Sequence, residues 1–287
     1  MALKQEQIEY QRKAYDRHYP KMAAAIRDQL AHPMLSAYYD RLAERILDLG
    51  VGARTERPGG EPFRFFEVGS GEGLVASAVQ RVARARGIRS TFTGSDLSAA
   101  AVDIARTVLD GEVVVGDATA LVAEMAPASQ DVIWAKNLLH HLADPAEFLR
   151  HAIRATGPEG RVVVIEPRLR CPIHWVNLMW FRQERFLWSG YGRNLAAFQE
   201  AGVEVLRVEP FSMLPFELAF ATRFGSLRKL FGSSKPAVLD RASAADEWVS
   251  RSFPSLALYR VTALAPGRRG AGVNAPADST NGARKAD

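Results

Sequence analysis

Apolar positions early in the chain keep helical spacing. Leu35, Tyr38, Tyr39, Leu42, Ile46 and Leu49 recur on one face, and Gly50 and Gly52 stop the pattern. Residues 1–50 are therefore predicted to be helical, followed by a loop through Arg57-Pro58-Gly59-Gly60. From there, short apolar runs alternate with helical patterns. The runs are Phe63–Val68, Ser90–Ser95, Glu112–Val115, Val132–Ala135 and Arg161–Ile165, and the helices fall near 74–86, 98–109, 118–126 and 145–155. This alternation predicts a parallel sheet with helices on both faces. The rhythm breaks after Glu166-Pro167. A helix from about Leu195 leads to Gly202 and a strand Val203–Val208, residues 211–254 read as helical and irregular, and Leu256–Ala263 reads as the last strand. Residues 266–287 are small, polar and rich in Gly and Pro, a composition that predicts disorder.

The first strand ends in Phe65-Phe66-Glu67-Val68-Gly69-Ser70-Gly71-Glu72-Gly73, and a helical pattern starts at Leu74. Glycines in a strand-to-helix turn let backbone N–H groups approach a ligand with no Cβ in the way. Asp96 and Leu97 follow the second strand, where a carboxylate can accept hydrogen bonds from a ribose diol. A nucleoside-type cofactor is the expectation, with an ordinary glycine-rich turn as the plain alternative. The spacing departs from the dinucleotide fingerprint G-x-G-x-x-G, because Leu74 occupies the third-glycine position. Glu67, two residues before the first glycine, would repel a pyrophosphate but could hold an ammonium group.

This E-x-G-S-G-x-G pattern resembles motif I of the class I S-adenosylmethionine (SAM) methyltransferases. The resemblance implies an α/β, Rossmann-like fold: a mostly parallel seven-stranded sheet with the two late strands as an antiparallel edge hairpin. It implies SAM as cofactor, held by Glu67, Gly69, Ser70, Gly71, Gly73, Asp96, Leu97 and Lys136. At the end of the third strand, Asp117 could accept from the adenine amine while the Ala118 N–H faces the ring, although Asp117 could equally cap the helix that follows. An N-terminal helix carrying Tyr15 and Tyr19 on one face would close over the methionyl end. The stretch His140-His141-Leu142-Ala143-Asp144-Pro145 resembles many small-molecule methyltransferases, and Lys136, His140 and Glu166 match three positions of the natural-product O-methyltransferases. That match implies His140 as general base, oriented by Glu166, with His141 structural. Leu142 replaces the usual tryptophan, and the extended dimerisation region of the plant enzymes is missing.

The remaining composition narrows the partners. Lys plus Arg exceed Asp plus Glu by 37 to 32, and part of the excess lies in the tail, so nucleic-acid binding is not implied. The single cysteine, Cys171, excludes an intramolecular disulfide and argues against a thiolate metal cluster, and no metal is expected. Cys171-Pro172 has the reverse order of the cytosine-C5 methyltransferase pair, and Lys136-Asn137-Leu138-Leu139 stands where amino-methylating nucleic-acid enzymes carry Asn/Asp-Pro-Pro-aromatic. No apolar run approaches ~18 residues. No stable membrane insertion is expected, and the polar N-terminus without a signal core makes the cytoplasm the default. Residues 168–193 interleave arginines with His174, Trp175, Trp180, Trp188 and Tyr191, either a wall suited to a planar or lipidic acceptor or an amphipathic cap helix with a solvated basic face.

The organisation expected is a helical lid at 1–58, a SAM-binding domain at 59–265 with acceptor segments at 168–193 and 211–254, and a tail at 266–287. The function expected is methylation of a small-molecule acceptor, first at oxygen of an aromatic or polyketide-like metabolite. C-methylation of a quinone or isoprenoid is the alternative, and a non-catalytic SAM- or dinucleotide-binding regulator another. Homodimerisation stays open.

Overall fold

The computed structural model describes residues 6, 8–17, 33–168, 191–212, 235–253, 257 and 259–267. Helix α1 covers 8–17 and α2 Pro33–Gly50. Strands β1 (Phe63–Val68), β2 (Ser90–Asp96), β3 (Glu112–Val115), β4 (Val132–Lys136) and β5 (Arg161–Pro167) then alternate with α3 (Leu74–Ala85), α4 (Ala99–Val108), α5 (Ala118–Glu124) and α6 (Pro145–Thr156). The chain continues with α7 (Tyr191–Glu200), β6 (Val203–Phe211), α8 (Pro236–Ser252) and β7 (Tyr259–Pro266).

The seven strands form one sheet in the order β3-β2-β1-β4-β5-β7-β6. The first five pair in parallel, and β7 runs antiparallel between β5 and β6, with an irregularity between Val205 and Arg207. The expected Rossmann-like sheet and edge hairpin are therefore present. Strand order reverses between β1 and β4, which opens a crevice outside their carboxyl ends.

Alternate side chains of each strand go to opposite faces. Phe63, Phe65 and Trp134 pack with Leu42, Ile46 and Val79 from α2 and α3, while Phe66, Val68 and Ile133 pack with Phe148, Leu149 and Phe198 from α6 and α7. Helix α2 thus belongs to the core, which among the described residues of the N-terminal 58 leaves α1 as the candidate cover. Caps set three helix starts. Ser98, Asp117 and Asp144 accept from the N–H groups of Ala101, Ala120 and Glu147 at 3.3, 3.0 and 2.8 Å.

Several bounds differ from the sequence reading. β2, β4 and β5 extend through Asp96, Lys136 and Pro167, and β6 extends to Phe211, because paired neighbours continue the ladder past the apolar run. β7 starts at Tyr259, three residues later than the apolar pattern, and α7 starts at Tyr191 rather than near Leu195. Among the described residues no helix is long and apolar enough to cross a membrane.

Candidate active site

The turn after β1 is held open by backbone geometry. Gly73, the N-cap of α3, has φ +77°, and a Cβ there would sit 3.1 Å from the Cβ of Ala105. That combination admits only glycine without strain. The Ser70 N–H donates to the Ser95 carbonyl at 2.8 Å, which ties the turn to β2. Asp96 anchors it further. Its Oδ2 accepts from the Gly71 N–H at 2.8 Å and its Oδ1 from the Ser98 N–H at 2.9 Å. Each oxygen keeps a second lone pair for a donor outside the fold. Burial raises the Asp96 pKa above the ordinary range, against the pull of the Ser98, Gly71 and Leu97 N–H groups.

A cavity of about 320 Å³ opens at these strand ends. Its wall includes Glu67, Gly69, Ser70, Gly71, Asp96, Leu97, Asp117, Ala118 and Lys136, so the expected cofactor residues of β1 to β4 converge there, apart from Gly73. Asp117 both caps α5 and lines the cavity, so the two readings of that residue are compatible. Glu67 is 1% exposed, and its Oε2 accepts from the Ala76 N–H at 3.2 Å. Burial pushes its pKa up to about 8, against the Trp134 side chain, that N–H and the Lys136 charge. Burial likewise raises Glu72. Lys136 lies with its Nζ 4.9 Å from the Tyr259 ring centroid, so β7 supports this side of the wall.

The exit from β4 is organised by Glu166. Its Oε1 accepts from the Leu138 and Leu139 N–H groups at 2.9 and 2.8 Å, and its Oε2 lies 2.6 Å from Nδ1 of His140. The expected Glu166–His140 contact therefore exists. The His140 side chain is 2% exposed and is not part of the cavity wall, whereas His141 is. Leu139–His141 is a single 3₁₀ turn, in which successive residues point about 120° apart, so Glu166 holding His140 inward swings His141 outward. The expectation that His140 faces the cavity is thus corrected: His140 is turned away from it, and His141 lies on the wall.

His141 meets α1. Its Nε2 lies 3.1 Å from the Tyr15 hydroxyl, and its carbonyl accepts from Gln11 Nε2 at 3.2 Å. Burial pushes the His141 pKa down to about 3, with the His140 charge adding to the effect. The imidazole is therefore neutral at physiological pH. Tyr19, His174, Trp175, Trp180 and Trp188 lie outside the described residues, as does the side chain of Tyr191, which opens α7. The sequence reading passed over Gln11, Ser95 and Asn137, which also line the cavity. The usable signals were position alone: Ser95 precedes Asp96, and Asn137 directly follows β4.

Residues 66–164 match the sequence profile of a family described as a methyltransferase domain. This segment is a class I SAM-dependent methyltransferase domain. Solved structures share its fold. A putative methyltransferase of Haloferax volcanii, in complex with the Trm112 methyltransferase activator, is 19% identical with a TM-score of 0.56, covering 87% of this chain and 98% of its own. A putative sarcosine dimethylglycine methyltransferase from Galdieria sulphuraria is 15% identical with a TM-score of 0.52, covering 79% and 85%. Phosphoethanolamine N-methyltransferase 2 of Haemonchus contortus, in complex with SAM, is 16% identical with a TM-score of 0.52, covering 79% and 53%. No curated protein sequence matches the chain.

The methyltransferase cavity fits SAM chemically. Ser70 Oγ, Ser95 Oγ and Asn137 Oδ1 are buried at its wall with no hydrogen-bond partner among the described residues, so a polar ligand is needed to satisfy them. Its carboxyl groups, Glu67, Glu72, Asp96 and Asp117, suit a ligand with an ammonium, a sulfonium and a diol and oppose a pyrophosphate.

Proposed function

We propose that this methyltransferase O-methylates a small aromatic or polyketide-like metabolite. The observation that carries the reading is the Tyr15–His141 pair on the cavity wall. SAM supplies a methyl group already activated on a sulfonium. The protein's tasks are to align the acceptor, exclude water and remove the acceptor's proton. Asp96 would hold the ribose diol of SAM, Asp117 and Ala118 the adenine edge, and Glu67 with the glycine turn the amino-acid end.

The acceptor hydroxyl gives its proton to the Tyr15 oxygen as Tyr15 passes its own to His141 Nε2. With SAM bound, the oxygen lone pair would form the new bond to the methyl carbon as the bond from sulfur to that carbon breaks with its electrons left on sulfur. One positive charge appears on the imidazole as the sulfonium loses its own, so the net charge in the cavity stays constant. That balance favours the transfer even though burial makes His141 a weak base beforehand. Glu166 and His140 position His141 from behind and touch neither ligand.

The test is product analysis by mass spectrometry after incubation with methyl-labelled SAM and a panel of phenols, carboxylic acids, amines and quinols. A methyl ether product, with methylation of phenols lost in Tyr15→Phe and His141→Ala, is expected. Label arriving on carbon or nitrogen, with both variants fully active, would overturn the oxygen reading.

A further inference from the structure

Ser98 caps α4 and is fully buried. Its N–H donates to Asp96 Oδ1 at 2.9 Å, its carbonyl accepts from the Val102 N–H at 3.1 Å and its Oγ accepts from the Ala101 N–H at 3.3 Å. The hydroxyl hydrogen goes to a helix 82 residues away in sequence: Ser98 Oγ donates to Asp16 Oδ1 at 2.6 Å. That separation is in the range of a hydroxyl on an ionised carboxylate. Ser98 thus joins two carboxylates, Asp96 on the cavity wall and Asp16 on α1. Each is within electrostatic reach of the other. Burial raises the Asp96 pKa, and the Asp16 charge adds to the effect.

Asp16 directly follows Tyr15. Helix α1, residues 8–17, is too short to hold its place without tertiary contacts. Successive helical side chains point about 100° apart, so Tyr15 and Asp16 reach different elements. Tyr15 and Gln11 meet His141 beyond β4, and Asp16 meets the first turn of α4. Without the Asp16 tie, α1 would be free to roll about the His141 contacts, and the 3.1 Å separation between the Tyr15 hydroxyl and His141 Nε2 would not be fixed. Two like charges on one serine oppose that tie. A ribose diol donating to the second lone pairs of Asp96 spreads its charge and lowers the opposition.

We propose that Asp16 is a positioning residue that senses a ribose at Asp96 through Ser98 and, once the ribose is there, holds Tyr15 against His141. The cofactor thereby completes the proton-accepting pair before the acceptor arrives. This rests on the reading of Asp96 as the ribose partner and of Tyr15 and His141 as the proton path, and deepens it. Asp16 touches neither ligand and acts only through its neighbour in the chain.

Hydrogen exchange of residues 8–17, measured with adenosine and with S-adenosylhomocysteine, tests this without an acceptor. Adenosine carries the diol but no sulfur and no amino-acid chain. In the wild type both ligands are expected to slow exchange in α1 about tenfold or more. Asp16→Ala is expected to exchange fast with either ligand bound. Asp16→Asn keeps an acceptor oxygen and drops the charge, so α1 is expected to be slow again but nearly indifferent to adenosine. Undiminished slowing in Asp16→Ala, or slowing by S-adenosylhomocysteine with none by adenosine, would overturn the inference, since the ligand would then hold α1 by direct contact. Failure of both ligands to bind the wild type by calorimetry would overturn the cofactor reading instead, and this inference with it. The oxygen reading stands or falls separately, on product analysis.

Discussion

The Tyr15 hydroxyl stands 3.1 Å from Nε2 of His141, across 126 residues of sequence. That contact brings a helix at the start of the chain to the end of β4. Asp16 reinforces it from the next residue, accepting from Ser98 Oγ at 2.6 Å. Helix α1 is thus tied both to the strand end that carries His141 and to the one that carries Asp96.

His141→Ala is expected to lower kcat by about 10²–10⁴ for an un-ionised hydroxyl acceptor, with S-adenosylhomocysteine affinity nearly unchanged. The loss should shrink when the acceptor is already ionised at the assay pH. Steady-state kinetics beside calorimetry check both points, and a large affinity loss would make His141 a cofactor residue instead.

Glu166→Ala should act first on stability. It strands the Leu138 and Leu139 N–H groups and the buried His140 ring, and removing one partner from such a network costs about 3–5 kcal/mol. Glu166→Gln keeps an acceptor for the two N–H groups and should cost less. Urea denaturation measures the difference. Equal stability in all three proteins would mean that Glu166 does not organise the turn.

Asp96→Ala should weaken S-adenosylhomocysteine by roughly 30- to 150-fold, equivalent to about 2–3 kcal/mol, from lost hydrogen bonds to an acceptor carboxylate. Part of that loss will be indirect, because the Gly71 and Ser98 N–H groups lose their partner as well. Unchanged affinity by calorimetry would place the ribose elsewhere.

Glu67 makes the ligand-free protein sensitive to alkali. Its folded pKa of about 8 lies above the ordinary 4.5, so the folded state holds a proton that the unfolded state has released. Stability from this group is full below about pH 4.5 and is lost as pH rises through 8. Glu72 and Asp96, also raised by burial, act in the same direction. Glu67→Gln should therefore flatten, without abolishing, the fall in Tm between neutral and alkaline pH. A fall as steep as that of the wild type would show that Glu67 is not the buried proton carrier.

The sequence by itself determined the sheet and which residues gather at its strand ends, because both are written in local signals. Uniform apolar runs mark buried parallel strands, and glycines at 69, 71 and 73 with Asp96 and Asp117 lie at strand ends, which the fold necessarily gathers on one edge of the sheet. The Glu166–His140 contact was legible for the same reason, since β4 and β5 are adjacent and their ends meet.

Which of two neighbouring histidines faces the cavity was not legible. His140 and His141 are chemically identical, and their directions depend on one 3₁₀ turn and on the carboxylate that seizes the first ring. Tertiary structure alone decided it, as it decided that Tyr15 on α1 meets His141 and that Asn137 adopts a left-handed backbone with its oxygen at the cavity wall. Strand ends are placed by periodic burial, which a single sequence displays. Side-chain direction in a tight turn is set by partners distant in the chain, and only folding brings those partners within reach.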